Sequence, residues 1–175
     1  MANSMIQTIS LINFECYVDG NRYIGSASVD LPEISYLTSE TSGAGIAGKI
    51  DTPILGHTEN LEVTLHWRTI FANPIQLLDN DGVMLTLRGA MQEYDASNGK
   101  QKVLAVKITL RAMAAGMTLG KLEPGEQTDT ESKLNCDYIK IEIDGVRYFE
   151  HDTFNFVHYV KSRDLLKEVK TALGL

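Results

Sequence analysis

The chain has 175 residues, 43% hydrophobic and 22% charged, which suits one filled core and is too short for two independent domains. No run approaches the apolar length of a membrane-spanning helix, and the start, MANSMIQTIS, has neither a basic region nor a following apolar stretch, so a single domain over residues 1–175 made in the cytoplasm is expected. A formal net charge of −7 argues against a tight nucleic-acid binder, whose footprint is a basic face, but not against a protein that DNA slides past.

Alternation with period two dominates. In LINFECYV, residues 11–18, Ile12, Phe14, Cys16 and Val18 share a face, and Asp19-Gly20 supplies a hairpin turn into NRYIGSASV. Residues 31–60 read as a long irregular arm carrying GAGIAGKI. LEVTLHW, residues 61–67, is a half-buried strand with Leu61, Val63, Leu65 and Trp67 inward. NPIQLLD, residues 73–79, predicts a short helix with Asn73 as cap, Pro74 in its first turn and Gln76 in a capping box.

Residues 83–115 predict two long strands around a turn containing Asn98-Gly99, with Leu104, Val106, Ile108, Leu110 and Ala112 on the core face of the return strand. A second irregular arm spans 120–133, and a third hairpin, 134–160, turns at Asp144-Gly145. SRDLLKEVKTALG, residues 162–174, predicts a helix capped by Ser162, with Leu165, Leu166, Val169 and Leu173 as its stripe and Gly174 at its stop. The fold class is mainly β: an antiparallel β-sandwich or rolled barrel with one short flanking helix and a C-terminal helix.

The chemical signals are weak. Gly43, Gly45 and Gly48 fit G-x-G-x-x-G, but TSETS precedes them and Pro53 follows, so no strand leads in and no helix opens. Lys49 stands where a phosphate-loop lysine would, yet Ile50 occupies the position of the magnesium-binding hydroxyl. His57, His66, His151 and His158 lack ligand spacing and read as surface or hairpin residues. Asp129 and Glu131 read as part of a hydrated loop, and Ser39, Ser42 and Ser132 have no nucleophile elbow. Cys16 and Cys136, on apolar strands, read as buried free thiols, with a single disulfide as the lesser alternative. No catalytic residue, cofactor or metal is expected.

Long antiparallel hairpins leave sheet edges that must be blunted or paired with another chain. Glu93, Lys100 and Lys102 near the tip of the long hairpin offer some blunting, and cyclic self-assembly would close the rest. The order of NFECYVDGNRYIG, GAGIAGKIDTPILG, LEVTLHW, NPIQLL, LTLRGAMQEYDASNGKQKVLAVKITLRA, GEQTDTESKLNCDYIKIEIDG and RDLLKEVKTALGL resembles the major tail tube protein of contractile-tailed bacteriophages and R-type phage-tail-like bacteriocins, itself similar to the inner tube protein of type VI secretion.

That resemblance implies a tail-tube fold, six-fold rings whose sheets join around a channel, and stacking of rings inside a contractile sheath, with baseplate and tail terminator proteins as further partners. Transient, non-specific passage of DNA is implied for a phage, and ion leakage for a bacteriocin. The loop with Gly43, Gly45, Gly48, Lys49 and Asp51 would reach a neighbouring subunit or ring, and the N-terminal residues would help join rings. The hairpin with Arg88, Glu93, Lys107 and Arg111 would line the channel, its cations paired with Glu93, Glu62 or another chain, or else facing the sheath. A small β-rich binding or adaptor module using exposed sheet edges is the alternative, with an enzyme acting on a small ligand behind it.

Overall fold

The computed structural model describes residues 6–20, 22–25, 28–43, 45, 47–79 and 81–175. The N-terminal residues 1–5, assigned above to ring joining, lie outside the described residues, as do Asn21, Ser26 and Ala27 of the first hairpin's return and Ala44 and Ile46 of the glycine stretch. Strands are β1 Ile6–Val18, β2 Arg22–Tyr23, β3 Ser28–Asp30, β4 Tyr36–Thr41, β5 Ile50–Thr58, β6 Leu61–Trp67, β7 Val83–Asp95, β8 Lys100–Thr118, β9 Thr130–Ile143, β10 Val146–Asp152, β11 Val157–Val160 and β12 Arg163–Asp164. Among the described residues there are two helices, α1 Ala72–Gln76 and α2 Lys167–Leu173.

The hairpin turns form where the sequence places them. Asp19 and Gly20 have φ of 50° and 88°, and Asp144 and Gly145 have 48° and 77°, the paired left-handed conformations that match the twist of adjoining strands. At the β7–β8 turn, the Asp95 carboxylate accepts from the Ser97 N–H and the Asn98 side chain, while its carbonyl accepts from the Gly99 N–H.

One strand organises the rest. β8 pairs with β9 along most of its length, but the other side of β9 changes partner midway. Thr130 to Cys136 pair with β6, which carries β3 on its far side, whereas Tyr138 to Ile143 pair with β10 and so with β11 and β12. Asp137 is the extra residue at this fork, opposite the step from Arg111 to Ala112. Such a bulge shifts the inward set of residues by one position. Accordingly, Thr130, Ser132, Leu134 and Cys136 are buried before it, and Ile139 after it.

The core lies between this forked sheet and the strands folded over it. β6 contributes Leu61, Val63, Leu65 and Trp67, packed with Cys16 and Val18 of β1, Leu85 and Leu87 of β7, Leu110 and Ala112 of β8, and Leu77 beyond α1. The Trp67 indole N–H donates to Ser132 Oγ at 3.0 Å, so the one polar edge of the largest core side chain is satisfied. Cys16 and Cys136 are free and buried, and burial pushes both thiols up to about 12.

Four local expectations are corrected. β1 has bulges at Ile9 and Ile12, so Ile12 is 55% exposed and does not join Phe14, Cys16 and Val18; Leu11 turns toward Gly89 instead. The first helix is α1, shorter and earlier than 73–79: Asn73 bonds the Ile24 carbonyl, and Gln76 accepts from Arg22 at 2.8 Å instead of completing a capping box. The C-terminal helix starts at Lys167, because Lys161 and Ser162 take left-handed angles that turn β11 into β12; Gly174 caps its end as expected. The arm at 31–60 is largely regular, since β4 and β5 pair into a two-stranded ribbon.

Candidate assembly surfaces

The β4–β5 ribbon stands apart from the main sheet, and nearly all its residues are exposed. Gly43, Gly45 and Gly48 lie in its tip with φ of 155°, 92° and 157°, and a Cβ at any of them would meet nothing within 4 Å. These glycines therefore serve backbone angles that other residues rarely adopt, in an open loop, with a strand and not a helix after them. Lys49 pairs with Glu40 at 2.9 Å, and Asp51 stands opposite Glu40 in the ladder, so the lysine relieves two facing carboxylates.

At its base the ribbon meets the body closely. A Cβ on Gly56 (φ 69°) would come 2.5 Å from Leu166 Cδ2, so only glycine lets β5 pass beneath the start of α2. Thr58 Oγ1 lies 3.1 Å from His151 Nε2, and the Tyr36 hydroxyl lies 3.1 Å from His158 Nε2. His151 and His158 are buried with their Nδ1 atoms 3.0 Å apart, which corrects their reading as surface or hairpin residues. Burial holds both rings below the ordinary histidine value; for His151 the charge of His158 adds to this.

The long hairpin separates the four residues grouped by sequence. Arg88, Lys107 and Arg111 lie on the face away from the core, whereas Glu93 follows the other alternation, in line with Leu85 and Leu87 and opposite Lys102. The outer face carries a row Glu15, Arg88, Lys107, Glu142 across four strands. Arg88 stacks 4.8 Å from the Tyr17 ring centroid, Lys107 lies 3.6 Å from Glu142, and Lys140 pairs with the same carboxylate at 2.9 Å. Arg111 donates to Asp137 at 2.7 Å and to Asp152 at 3.4 Å. The partners are thus local carboxylates and a tyrosine, in place of the Glu93 and Glu62 suggested by sequence. Hydrogen bonds from Lys140 hold the Glu142 carboxyl below its ordinary value.

Two long stretches of strand edge, on β1 and β8, lack a ladder partner among the described residues. β2 covers β1 only at Tyr17 and Val18, which leaves the side from Ile6 onward without a ladder partner among the described residues, and Ile6, Ile9, Leu11 and Ile12 are all about half exposed. On the opposite side β8 runs past the end of β9, where Asp144 accepts from the Ala105 N–H and lies 3.2 Å from Lys102 Nζ. Beside the open β1 edge, Leu11, Phe14, Leu31, Met91 and Val106 line an apolar groove of about 250 Å³.

The remaining chemical candidates have structural roles. Residues 120–129 are irregular and fold back on themselves: Lys121 N–H donates to the Thr128 carbonyl, and Thr128 N–H to the Arg68 carbonyl. Glu131 is on β9, where its carboxylate lies 3.5 Å from His66, while Asp30 holds the other ring nitrogen at 2.9 Å. Asp129 ends the loop with φ of 51°, whereas Glu131 stands inside β9 and not in the loop. The sheet edges were legible in the hairpin lengths; the buried histidine pair had no sequence signal, because seven residues and a turn separate its members.

A β-sandwich whose distinctive surfaces are open edges, a projecting ribbon and a self-paired charged face defines a structural protein built for assembly. The chain belongs to the phage tail tube protein FII family, whose model matches residues 8–174, and it is a structural tail tube subunit. It is 25% identical to the tail tube protein of Escherichia phage P2 over 182 aligned positions, covering 98% of this chain and 99% of that one. It is 24% identical to the major tail tube protein of Serratia phage KSP20, covering 93% and 94%. Similar solved folds are the sheath/tube terminator of the extracellular contractile injection system PVC (TM-score 0.57, 17% identity, 78% of this chain and 97% of that one) and the tube-terminating cap of the anti-feeding prophage (TM-score 0.52, 16% identity, 74% and 87%).

Proposed function

We propose that six copies of the chain form a ring and that rings stack into the hollow inner tube of a contractile tail. The observation that carries this reading is the pair of open edges on opposite sides of one sheet, β1 from Ile6 and β8 from Lys100 to Leu104. Joining the two edges head to tail repeats one heterologous contact, and a closed ring satisfies every edge. The apolar groove beside β1 would be covered by the same contact.

The ribbon tip, with Gly43, Gly45, Gly48, Lys49 and Asp51, is the part that reaches an adjacent ring or subunit. The outer hairpin face, with Arg88, Lys107 and Arg111, lines the channel; its cations are engaged by neighbours, which suits a surface that lets phosphate pass without holding it. Glu93, on the other alternation, belongs with the edge contact near Lys102. The sheath protein surrounds the tube, and baseplate and terminator proteins meet its ends. After contraction the tube penetrates an envelope and conducts DNA in a phage, or dissipates ion gradients in a headless particle. The subunit is made in the bacterial cytoplasm and acts without catalysis or cofactor.

Negative-stain microscopy of concentrated protein, alone and with the terminator and baseplate proteins, tests this. Six-fold rings or tubes are the expected result. Monomers or dimers under all of these conditions would instead support an adaptor module that uses its edges on another partner.

A further inference from the structure

The β4–β5 ribbon shares no ladder with the main sheet among the described residues, so side chains at its base hold it in place. His151 of β10 and His158 of β11 face each other in register, 3% and 0% exposed. Together with Thr58 and Tyr36 they make one chain of contacts, Thr58–His151–His158–Tyr36, that touches both strands of the ribbon.

This chain tolerates only certain proton counts. An Nδ1 to Nδ1 bond needs one N–H and one lone pair, which two neutral rings supply. One added proton still fits, with an imidazolium donating to an imidazole. A second places N–H on both Nδ1 atoms and leaves two like charges in a site closed to water.

We propose that the His151–His158 pair is an acid-sensitive latch: neutral rings hold the base of the ribbon to the sheet, and double protonation releases it while the main sheet stays folded.

Among the described residues, the carboxylates beside the pair are already engaged by other donors. Asp152 on β10 favours a charge on His151, but it is already engaged by Arg111, by the Asn155 side chain and by the N–H groups of Phe154 and Asn155. Asp164 on β12 favours a charge on His158, but it accepts from the Leu166 N–H and lies 4.0 Å from Lys170 of α2. His57 on β5 opposes a charge on His151, and Tyr36 on β4 contributes a neutral hydroxyl. Both rings are held below 6.5 in the latched state, whereas released rings titrate near that value. The latch is therefore at full strength above 6.5 and weakens as the pH falls below it.

Hydrogen exchange on the dispersed full chain, at about pH 7.5 and about pH 5 with intrinsic rates corrected, tests the latch. Protection across 36–58 should fall about tenfold further than across 61–67, and ring NMR should show both histidines titrating low. His158→Gln should remove this differential. The proposal is overturned if the protection ratio stays constant while both rings take up protons, or if its fall persists in His158→Gln. The wild-type comparison decides the matter even where the variant does not fold, and it reads the ribbon whether or not the chain assembles.

Discussion

Arg111 Nε donates to Asp137 Oδ1 at 2.7 Å at the point where β9 changes partners. The guanidinium thus holds the extra residue of the fork against β8, and the bond to Asp137 keeps it firmly protonated. Asp137→Ala should keep the bulge and lose only a partly exposed charge-assisted bond, about 1 kcal/mol, visible as a small shift in the urea midpoint. Deleting Asp137 should turn one half of β9 inside out and abolish cooperative unfolding. Equal effects of the two changes would show that the bulge does not set the phase.

Glycine substitutions should divide by location. Gly56→Ala must displace Leu166, and Gly120→Ala overlaps the Thr128 carbonyl oxygen, so each should cost more than about 2 kcal/mol in thermal or urea unfolding. Gly45→Ala meets open space, so only the backbone strain at a φ of 92° remains, and it should cost about 1–2 kcal/mol.

Ser132→Ala leaves the Trp67 indole N–H unpaired in the core and should cost about 1–3 kcal/mol. Trp67 is the only tryptophan in the chain, so its fluorescence reports this site directly during denaturant unfolding. An unchanged midpoint would mean that the indole finds another acceptor.

Ile9→Lys with Ile12→Lys places two charges at exposed bulges of the open β1 edge. Monomer stability should change by about 0.5 kcal/mol or less, while ring formation measured by sedimentation should be lost. Normal rings from this variant would remove β1 from the contact.

The two thiols, pushed up to about 12 by burial, should resist alkylation near neutral pH in the native state and react at ordinary rates in denaturant. Rapid native labelling at either position would show that its strand opens easily.

The architecture was legible wherever alternation ran unbroken. LEVTLHW kept its phase from Leu61 to Trp67, and the Asp-Gly pairs took the left-handed turns that their flanking strands demanded. Misreadings arose where backbone geometry interrupts the alternation. The bulges at Ile9, Ile12 and Asp137 shift the inward set of residues without leaving a mark in the composition. Pro53 and the glycines made β5 look irregular, yet a two-stranded ribbon has an outer side where a missing N–H is harmless. At the surfaces, the charges on Arg88, Lys107 and Arg111 could be read from sequence, but their partners depend on register across four strands.

The fork in β9 also has a mechanical meaning. The strands folded over the core and those that continue to the C-terminal helix are both laddered to one unbroken strand, β9. Displacing either set therefore shifts the strand against which the other is registered, so their positions are coupled through a shared backbone as well as through side-chain packing.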